Sequence, residues 1–435
     1  MFTNRRQKML TNELVKKINE GILDEKFAEL YDKDAILSQR ERYLRAIDSF
    51  CAIYGEGRDI AIYSVAGRSE LAGNHTDHNH GCVVAASINL DIIAIVSKND
   101  KGIIDLKSDG FPRIIVDYSE YAAPVEEKFG TSDSLIAGMC AGFLKNGYKI
   151  GGFDAYCTSS VLKGSGLSSS AAFEDMIGNI LSHEYNEGGV DNVEISKLSQ
   201  YAENVFFGKP CGLMDQVACA VGGIVAIDFE DTAEPKIEKI DFDLTGAGYN
   251  LCIVDTGGNH ADLTADYASV PAEMKAVAAY FGKPYLRLCD EDEVKSKIAE
   301  LRTKVGDRAL LRALHFFEEN KRVAKMKSAL LNNDISSYFD GVLSSGRSSF
   351  CYLQNVYTTK NVEEQGLSLA LCVTESYLKD KNGAFRVHGG GFAGTIQAYV
   401  RTEDVEGYRA AMDGVFGKGA CLVLRVRKYG ALRVI

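Results

Sequence analysis

No stretch of this 435-residue chain approaches the apolar length that a membrane span needs, and the N-terminal segment MFTNRRQKMLTNELVKKINEG lacks the apolar core of a secretory signal. A cytoplasmic location is the expectation. Positive charge is not in excess either. Lys and Arg number 49 against 60 Asp and Glu, a formal net charge of −11, which argues against a nucleic-acid or anionic-membrane surface. Any anion must then be met by a local group of donors, and the expected partner is a small molecule. The eleven cysteines form no CxxC pair, and several lie within apolar runs. That suits reduced core thiols better than disulfides or zinc, and none reads as catalytic. Neither an internal repeat nor a low-complexity linker is visible, so domain boundaries are weakly marked.

What the chain does have is a soluble globular composition, 46% hydrophobic and 25% charged, at a length that fits two or three domains. Asn12 to Tyr54 shows apolar positions at helical spacing (Ile36, Tyr43, Leu44, Ile47) before any strand pattern begins, and reads as a helical extension over residues 1–54. Short β-rich runs follow at Ile60–Val65, Val83–Ile88, Ile92–Val96, Ile103–Leu106 and Ile114–Tyr118, then a helix near Leu135–Leu144 and a strand at Phe153–Thr158. Helices to about Tyr185 and from Val193 to Phe207 close a first domain over 55–235. A second, over 236–435, combines strands near Leu251–Asp255, Phe385 and Ile396 with long helices between Ala265 and Lys379, and the fold class is α+β.

Four stretches carry chemistry. Gly164 to Ala172, GSGLSSSAA, sets a glycine-rich turn against a helix start. Backbone N–H groups, serine hydroxyls and the helix dipole would there converge on phosphate, although a serine-rich N-cap is the plainer alternative. Gly67 to Gly81, GRSELAGNHTDHNHG, crowds Arg68, Glu70, Asn74, His75, Asp77, His78, Asn79 and His80 into one loop, with Cys82 adjacent. Its spacing matches no common zinc pattern, so a metal site and a solvated turn stand behind a sugar site built of carboxylate, amide and imidazole. His388 to Val400, HGGGFAGTIQAYV, has a GxGxxG spacing at Gly389, Gly391 and Gly394. A dinucleotide fingerprint would open a helix, whereas Thr395 to Val400 alternates as a strand, so a nicotinamide cofactor is rejected. The loop is either a buried hairpin or a wall of the nucleotide pocket. Finally, Gly208 to Gln216, GKPCGLMDQ, places Asp215 just beyond a turn, where alone it would pass as a helix start.

Together, GRSELAGNHTDHNHG, GSGLSSSAAFE, CGLMDQ and VHGGGFAG fall in the order and spacing of the GHMP kinases, and the first and last resemble galactokinases, over roughly Val65 to Val400. The resemblance implies a two-domain α+β fold: a mixed-sheet N-terminal domain, an α+β C-terminal domain, and the active site in the cleft between them. It implies an ATP- and Mg²⁺-dependent kinase for the C1 hydroxyl of galactose or a close relative. Gly164, Ser165, Gly166, Leu167, Ser168, Ser169 and Ser170 would wrap the nucleotide phosphates, with Ser170 and Glu174 on Mg²⁺. Asp215 would act on the sugar hydroxyl beside Arg68, and Asn74, His75, Asp77, Gly212 and Tyr267 would contact the sugar. A monomer without nucleic-acid or membrane partners is expected.

Two departures bear on function. Galactokinases usually read GEHTDYN where this chain reads GNHTDHN, so Asn74 stands for a glutamate that grips the C6 hydroxyl and His78 for a tyrosine. An uncharged amide would repel a C6 carboxylate less, which makes galacturonate, or L-arabinose, an alternative to galactose. Leu162 replaces a common proline, which changes loop rigidity more than chemistry. A sugar- and ATP-binding sensor of the same ancestry is a further alternative, and the intact Ser170-Ala171 and Asp215 favour the enzyme.

Overall fold

The computed structural model describes residues 9–118, 123–161, 166–209, 211–258 and 263–435. Three helices open the chain, α1 (Thr11–Asn19), α2 (Asp24–Tyr31) and α3 (Ile36–Tyr54). In α3 the buried positions Tyr43, Ala46, Ile47 and Phe50 recur at the three- and four-residue spacing of one helix face. That face does not wait for a separate partner. With Leu14, Ile18, Phe27 and Leu30 it packs on Ile62, Ile93, Ile95 and Tyr156, one side of the first sheet.

The sheet comprises β1 (Ala61–Ala72), β2 (Cys82–Lys98), β3 (Ile103–Ser108), β4 (Arg113–Asp117), β5 (Phe153–Ser159), β6 (Ile224–Asp228) and β7 (Lys236–Ile240), and it is completed from the far end of the chain. Alternate residues of β1, β2 and β5 (Tyr63, Val65, Ala94, Val96, Ala155) face the opposite core, beneath α4 (Ser132–Lys145), α5 (Ser169–Tyr185), α6 (Asn192–Tyr201) and α7 (Met214–Val221). Both faces are covered, which is why these strands read as nearly continuous apolar runs. The helical extension is therefore a layer of the first domain.

The two runs expected at 83–88 and 92–96 are one strand, β2. The polar interruption between them is satisfied in place: the Asn89 N–H donates to the Arg425 carbonyl while its Oδ1 accepts from the Arg425 N–H, and Asp91 is ion-paired to Arg42 (2.7 Å) and Arg427 (3.0 Å) and accepts from the Tyr31 hydroxyl. Asp91 thus ties the N-terminal helices and the C-terminal segment to the same strand.

The second domain holds β8 (Tyr249–Asp255), α8 (Thr264–Tyr280), α9 (Glu291–Ser296), α10 (Ile298–Lys304), α11 (Asp307–Leu331), α12 (Ile335–Ser348), α13 (Gly366–Leu378), β9 (Ala384–Val387), β10 (Thr395–Arg401), α14 (Val405–Phe416) and β11 (Cys421–Leu424). Its four-stranded sheet runs β11-β8-β10-β9. The last strand, β12 (Ala431–Arg433), returns to the free edge of β1, and β7 pairs with β6, so residues on both sides of position 235 build the first sheet. Among the described residues no helix is long and apolar enough to cross a membrane.

Candidate active site

The site forms where β1 loses register. Pairing with β2 slips between Ala66 and Arg68 and again between Glu70 and Ala72, and such bulges re-aim side chains. At the first slip Gly67 makes room for the serine turn, since a Cβ there would lie 2.9 Å from the Leu167 carbonyl. The Arg68 N–H donates to that same carbonyl at 3.1 Å. Within the turn Gly166 (φ +72°) and Ser168 (φ +60°) are left-handed, and Ser169 begins α5. The strained Ser168 conformation aims its hydroxyl away from the helix, and it donates to Asp215 Oδ2 at 2.5 Å. Leu167 is buried, Ser169 half-buried and Ser170 exposed, while Gly164, Ser165 and Leu162 lie outside the described residues.

Asp215, in the first turn of α7, takes Arg68 Nε and Nη2 on its two oxygens, both at 2.8 Å, and Arg68 Nη1 donates to the Gly166 carbonyl. Arg68 is therefore the clamp between the carboxylate and the turn. The Asp215 side chain remains 36% exposed. Burial raises its pKa, but the Arg68 charge and the hydrogen bonds from Arg68 and Ser168 outweigh it, and the net shift is downward. Asp77 moves the other way. Burial, then the nearby Asp215 charge, pushes it up to about 6. Gly212 lies directly against the Asp77 carboxylate, where a Cβ would collide with it.

From the second domain, the left-handed turn Gly389 (φ +66°), Gly391 (φ +79°) and Phe392 (φ +59°) precedes β10, so a strand does follow the GxGxxG spacing. The carbonyl of Gly390 accepts from His75 Nε2 (2.9 Å) and that of Gly391 from the Tyr267 hydroxyl (2.8 Å). This turn accordingly lies against His75 and Tyr267. The sequence admits either a buried hairpin or a wall of the nucleotide pocket here. Toward Gly166 the second domain offers His388, buried and bonded to Ser69 (3.0 Å) and Thr395 (2.9 Å).

Asn74, expected to meet the C6 end of a sugar, has no exposed surface. Its Nδ2 donates to Gly389 O (2.7 Å) and Glu70 Oε1 (3.3 Å), and its Oδ1 accepts from Asn355 (2.9 Å) and Ser349 (3.2 Å). The amide is spent on joining the two domains. Next to it Glu70 forms a buried ion pair with Arg386 at 2.8 Å.

Glu174, one turn after Ser170, is fully buried. Its Oε2 accepts from Gln216 Nε2 at 3.3 Å, and the same nitrogen donates to Glu203 at 2.9 Å. Burial and then the Glu203 charge hold the Glu174 carboxyl well above its usual range. Glu174 Oε1 has no hydrogen-bond partner among the described residues. Glu203 was not singled out from the sequence. It is carried on a π-helical turn, Ala202–Phe207, whose extra residue per turn rotates it inward, and Lys209 pairs with it at 3.0 Å. A second such turn, Ser349–Leu353, presents Ser349 to Asn74.

The histidine-rich loop holds no metal cluster. Its His75 and His78 bond to each other at 3.2 Å, His80 stacks on Tyr285 at 3.6 Å, and no grouping of three His, Cys, Asp or Glu able to hold an ion occurs among the described residues. The cysteines are free thiols.

A family model described as GHMP kinases N terminal domain matches residues 134–223, and one described as galactokinase galactose-binding signature matches 48–98. A galactokinase of Streptomyces coelicolor is 28% identical over 87% of this chain and 94% of its own length. One from Thermotoga petrophila is 30% identical over 76% and 86%. Among solved structures, Lactococcus lactis galactokinase complexed with galactose has a TM-score of 0.75 at 22% identity, covering 90% of this chain and all of the other. The mevalonate kinase of Methanococcus jannaschii has a TM-score of 0.58 at 15% identity, covering 84% and 98%.

Proposed function

Since the chain belongs to the galactokinase family of GHMP kinases and is a sugar kinase, we propose that it transfers the terminal phosphoryl group of ATP directly to the C1 hydroxyl of galactose or a close relative. The observation that carries this reading is the Arg68–Asp215–Ser168 junction. One carboxylate is bonded both to the strand that leads into the sugar-side loop and to the turn that opens α5, which supports a role for it between acceptor and donor.

The direction of each pKa shift supports distinct roles. Asp215, held ionised by Arg68, is too weak a base to remove the C1 proton early; it orients the hydroxyl and receives the proton late, as the new O–P bond forms and the bond to the leaving ADP oxygen breaks. Such a loose transition state asks mainly for alignment and charge balance, and Arg68 with the N–H groups of the serine turn supplies both. Asp77, with its pKa near 6, accepts a sugar hydroxyl when ionised. His75, Gly212 and Tyr267 line the same side, and Gly164 to Ser170 take the phosphates.

For Mg²⁺ the residues fit. Ser170 and Glu174 are proposed to hold it, with Glu203 beside them, because Glu174 has a free oxygen and magnesium is commonly bound through one or two carboxylates with the substrate phosphates. When bound, the ion neutralises phosphate charge. The test is ATP-dependent product formation across galactose, galacturonate, L-arabinose and N-acetylgalactosamine. Galactose or a C6 variant should be phosphorylated at C1, and a protein that binds sugar yet yields no product from any of them is a sensor.

A further inference from the structure

The loop between Asn74 and Asn79 touches the second domain at both ends, through a chain of hydrogen bonds whose direction is fixed. It starts at Leu286, whose backbone N–H donates to Asn79 Oδ1 at 3.2 Å. A backbone N–H can only donate, so the orientation of the Asn79 amide is set and its Nδ2 must be the donor toward His78 Nδ1, at 3.0 Å. His78 Nδ1 is then the acceptor, and the His78 proton sits on Nε2, which points at His75 Nδ1 at 3.2 Å. At the other end the Gly390 carbonyl can only accept, so His75 carries its proton on Nε2, 2.9 Å away, and its Nδ1 is free to receive the bond from His78. The two deductions, made from opposite ends, agree on the middle bond.

We propose that His78 is a positioning residue of the sugar site: it locks His75 into one tautomer and one ring orientation, and so fixes the loop that carries Asp77 against the Gly389–Gly391 turn. This rests on the reading of Asp77 as a sugar contact; His75, with both nitrogens taken by His78 and Gly390, serves the sugar side by holding the loop. Successive bonds pointing the same way polarise one another, so loss of one member weakens the rest. The surroundings hold the chain in place. Asn79 is fully buried and also donates to Met274 Sδ at 3.3 Å, and a Cβ on Gly390 would strike the Tyr267 ring, so the acceptor carbonyl cannot drift. Both rings must be neutral, since a second proton on either would set donor against donor. Burial pushes both histidine pKa values down. At His78 the His75 ring, Lys275 and His315 oppose a charge; at His75 the bond to the Gly390 carbonyl and Glu70 favour one, while His315 and Arg312 oppose it. Both His75 nitrogens are committed within this chain.

The test pairs kinetics with a direct view of the protons, using the full-length protein. In His78→Phe the middle bond is gone, and the KM for sugar should rise about tenfold, the worth of one hydrogen bond in a binding equilibrium. The KM for ATP should stay within about twofold. His78→Gln, whose amide nitrogen can stand in for Nε2, should recover most of the loss, which a merely structural defect would not do. Long-range ¹⁵N–¹H correlation spectra of the wild-type protein near neutral pH should show His75 and His78 each as the single Nε2–H tautomer. In His78→Phe the His75 signal should become a mixture. An unchanged sugar KM in His78→Phe, equal rises in both KM values, or an Nδ1–H or doubly protonated His75 in the wild type would each overturn the proposal. If the wild type phosphorylates none of the sugars, it is the kinase reading that fails, while the tautomer measurement still decides whether the chain exists.

Discussion

At the Asp215 corner the site is held by ions, Arg68 against a carboxylate with hydrogen bonds shared by the serine turn, whereas the His75 end is held by imidazoles and amides through hydrogen bonds of fixed direction. The difference suits the roles proposed for the two ends. A corner that meets a phosphoryl group needs fixed charge, because the transition state spreads negative charge over several oxygens. An end that recognises hydroxyls needs donors and acceptors in known directions without a field that would attract ions instead. Asp77 stands between the two, a carboxyl whose pKa near 6 reflects burial on the neutral side and the Asp215 charge on the other.

The sharpest way to break this contrast is to remove the cation. Arg68→Met should lower kcat by on the order of 10²–10³-fold, as loss of a preorganised charge-stabilising donor does. It should also add an acid limb to the pH profile, because Asp215 loses the partner that holds its pKa down. Placing an ion on the neutral side tests the other half. Asn74→Glu would set a carboxylate against the Gly389 carbonyl and beside Glu70, and should cost about 3 kcal/mol of stability by denaturant titration, the scale of an uncompensated buried charge. Better galactose use with unchanged stability would restore Asn74 to the sugar.

A smaller effect should come from pH alone. As Asp77 is protonated below about 6, kcat/KM for sugar should fall up to about tenfold per pH unit. Asp77→Asn should remove that limb along with much of the sugar affinity. The smallest expected change is at the metal: Glu174→Gln should raise the Mg²⁺ concentration for half-maximal rate several-fold, roughly the loss of one ligand, and an unchanged titration would reassign that role to Glu203.

The charged corner was legible in the sequence because its members, Arg68, the serine turn and Asp215, lie in short stretches with strong local grammar. The structure brings the described ones together across 147 residues of chain. The neutral end was half legible. His75, Asp77 and Tyr267 stood out, but Asn74 was read toward the sugar, since nothing local reveals that Ser349 and Asn355, some 280 positions later, use up its amide. Glu203 and Ser349 were missed for one reason: each depends on a π-helical turn, and a single extra residue in a helix leaves no mark on composition or periodicity. The fold was read in its elements more than in its connections. The interruption at Asn89–Asp91 imitates a turn until Arg42, Arg425 and Arg427 are in place, and three residues of β12 are too few to announce a strand that completes the first sheet.

On the proposed reading, Asp215 directs the C1 hydroxyl onto the terminal phosphorus of ATP. Phosphorus and carbon NMR of the product made from galactose by the wild-type protein and by Asp215→Ala, with ATP binding measured in both, tests it in one comparison. A C1 phosphate from the wild type and none from a variant that still binds ATP is the expected result; phosphate on another carbon, or wild-type turnover without Asp215, would contradict it.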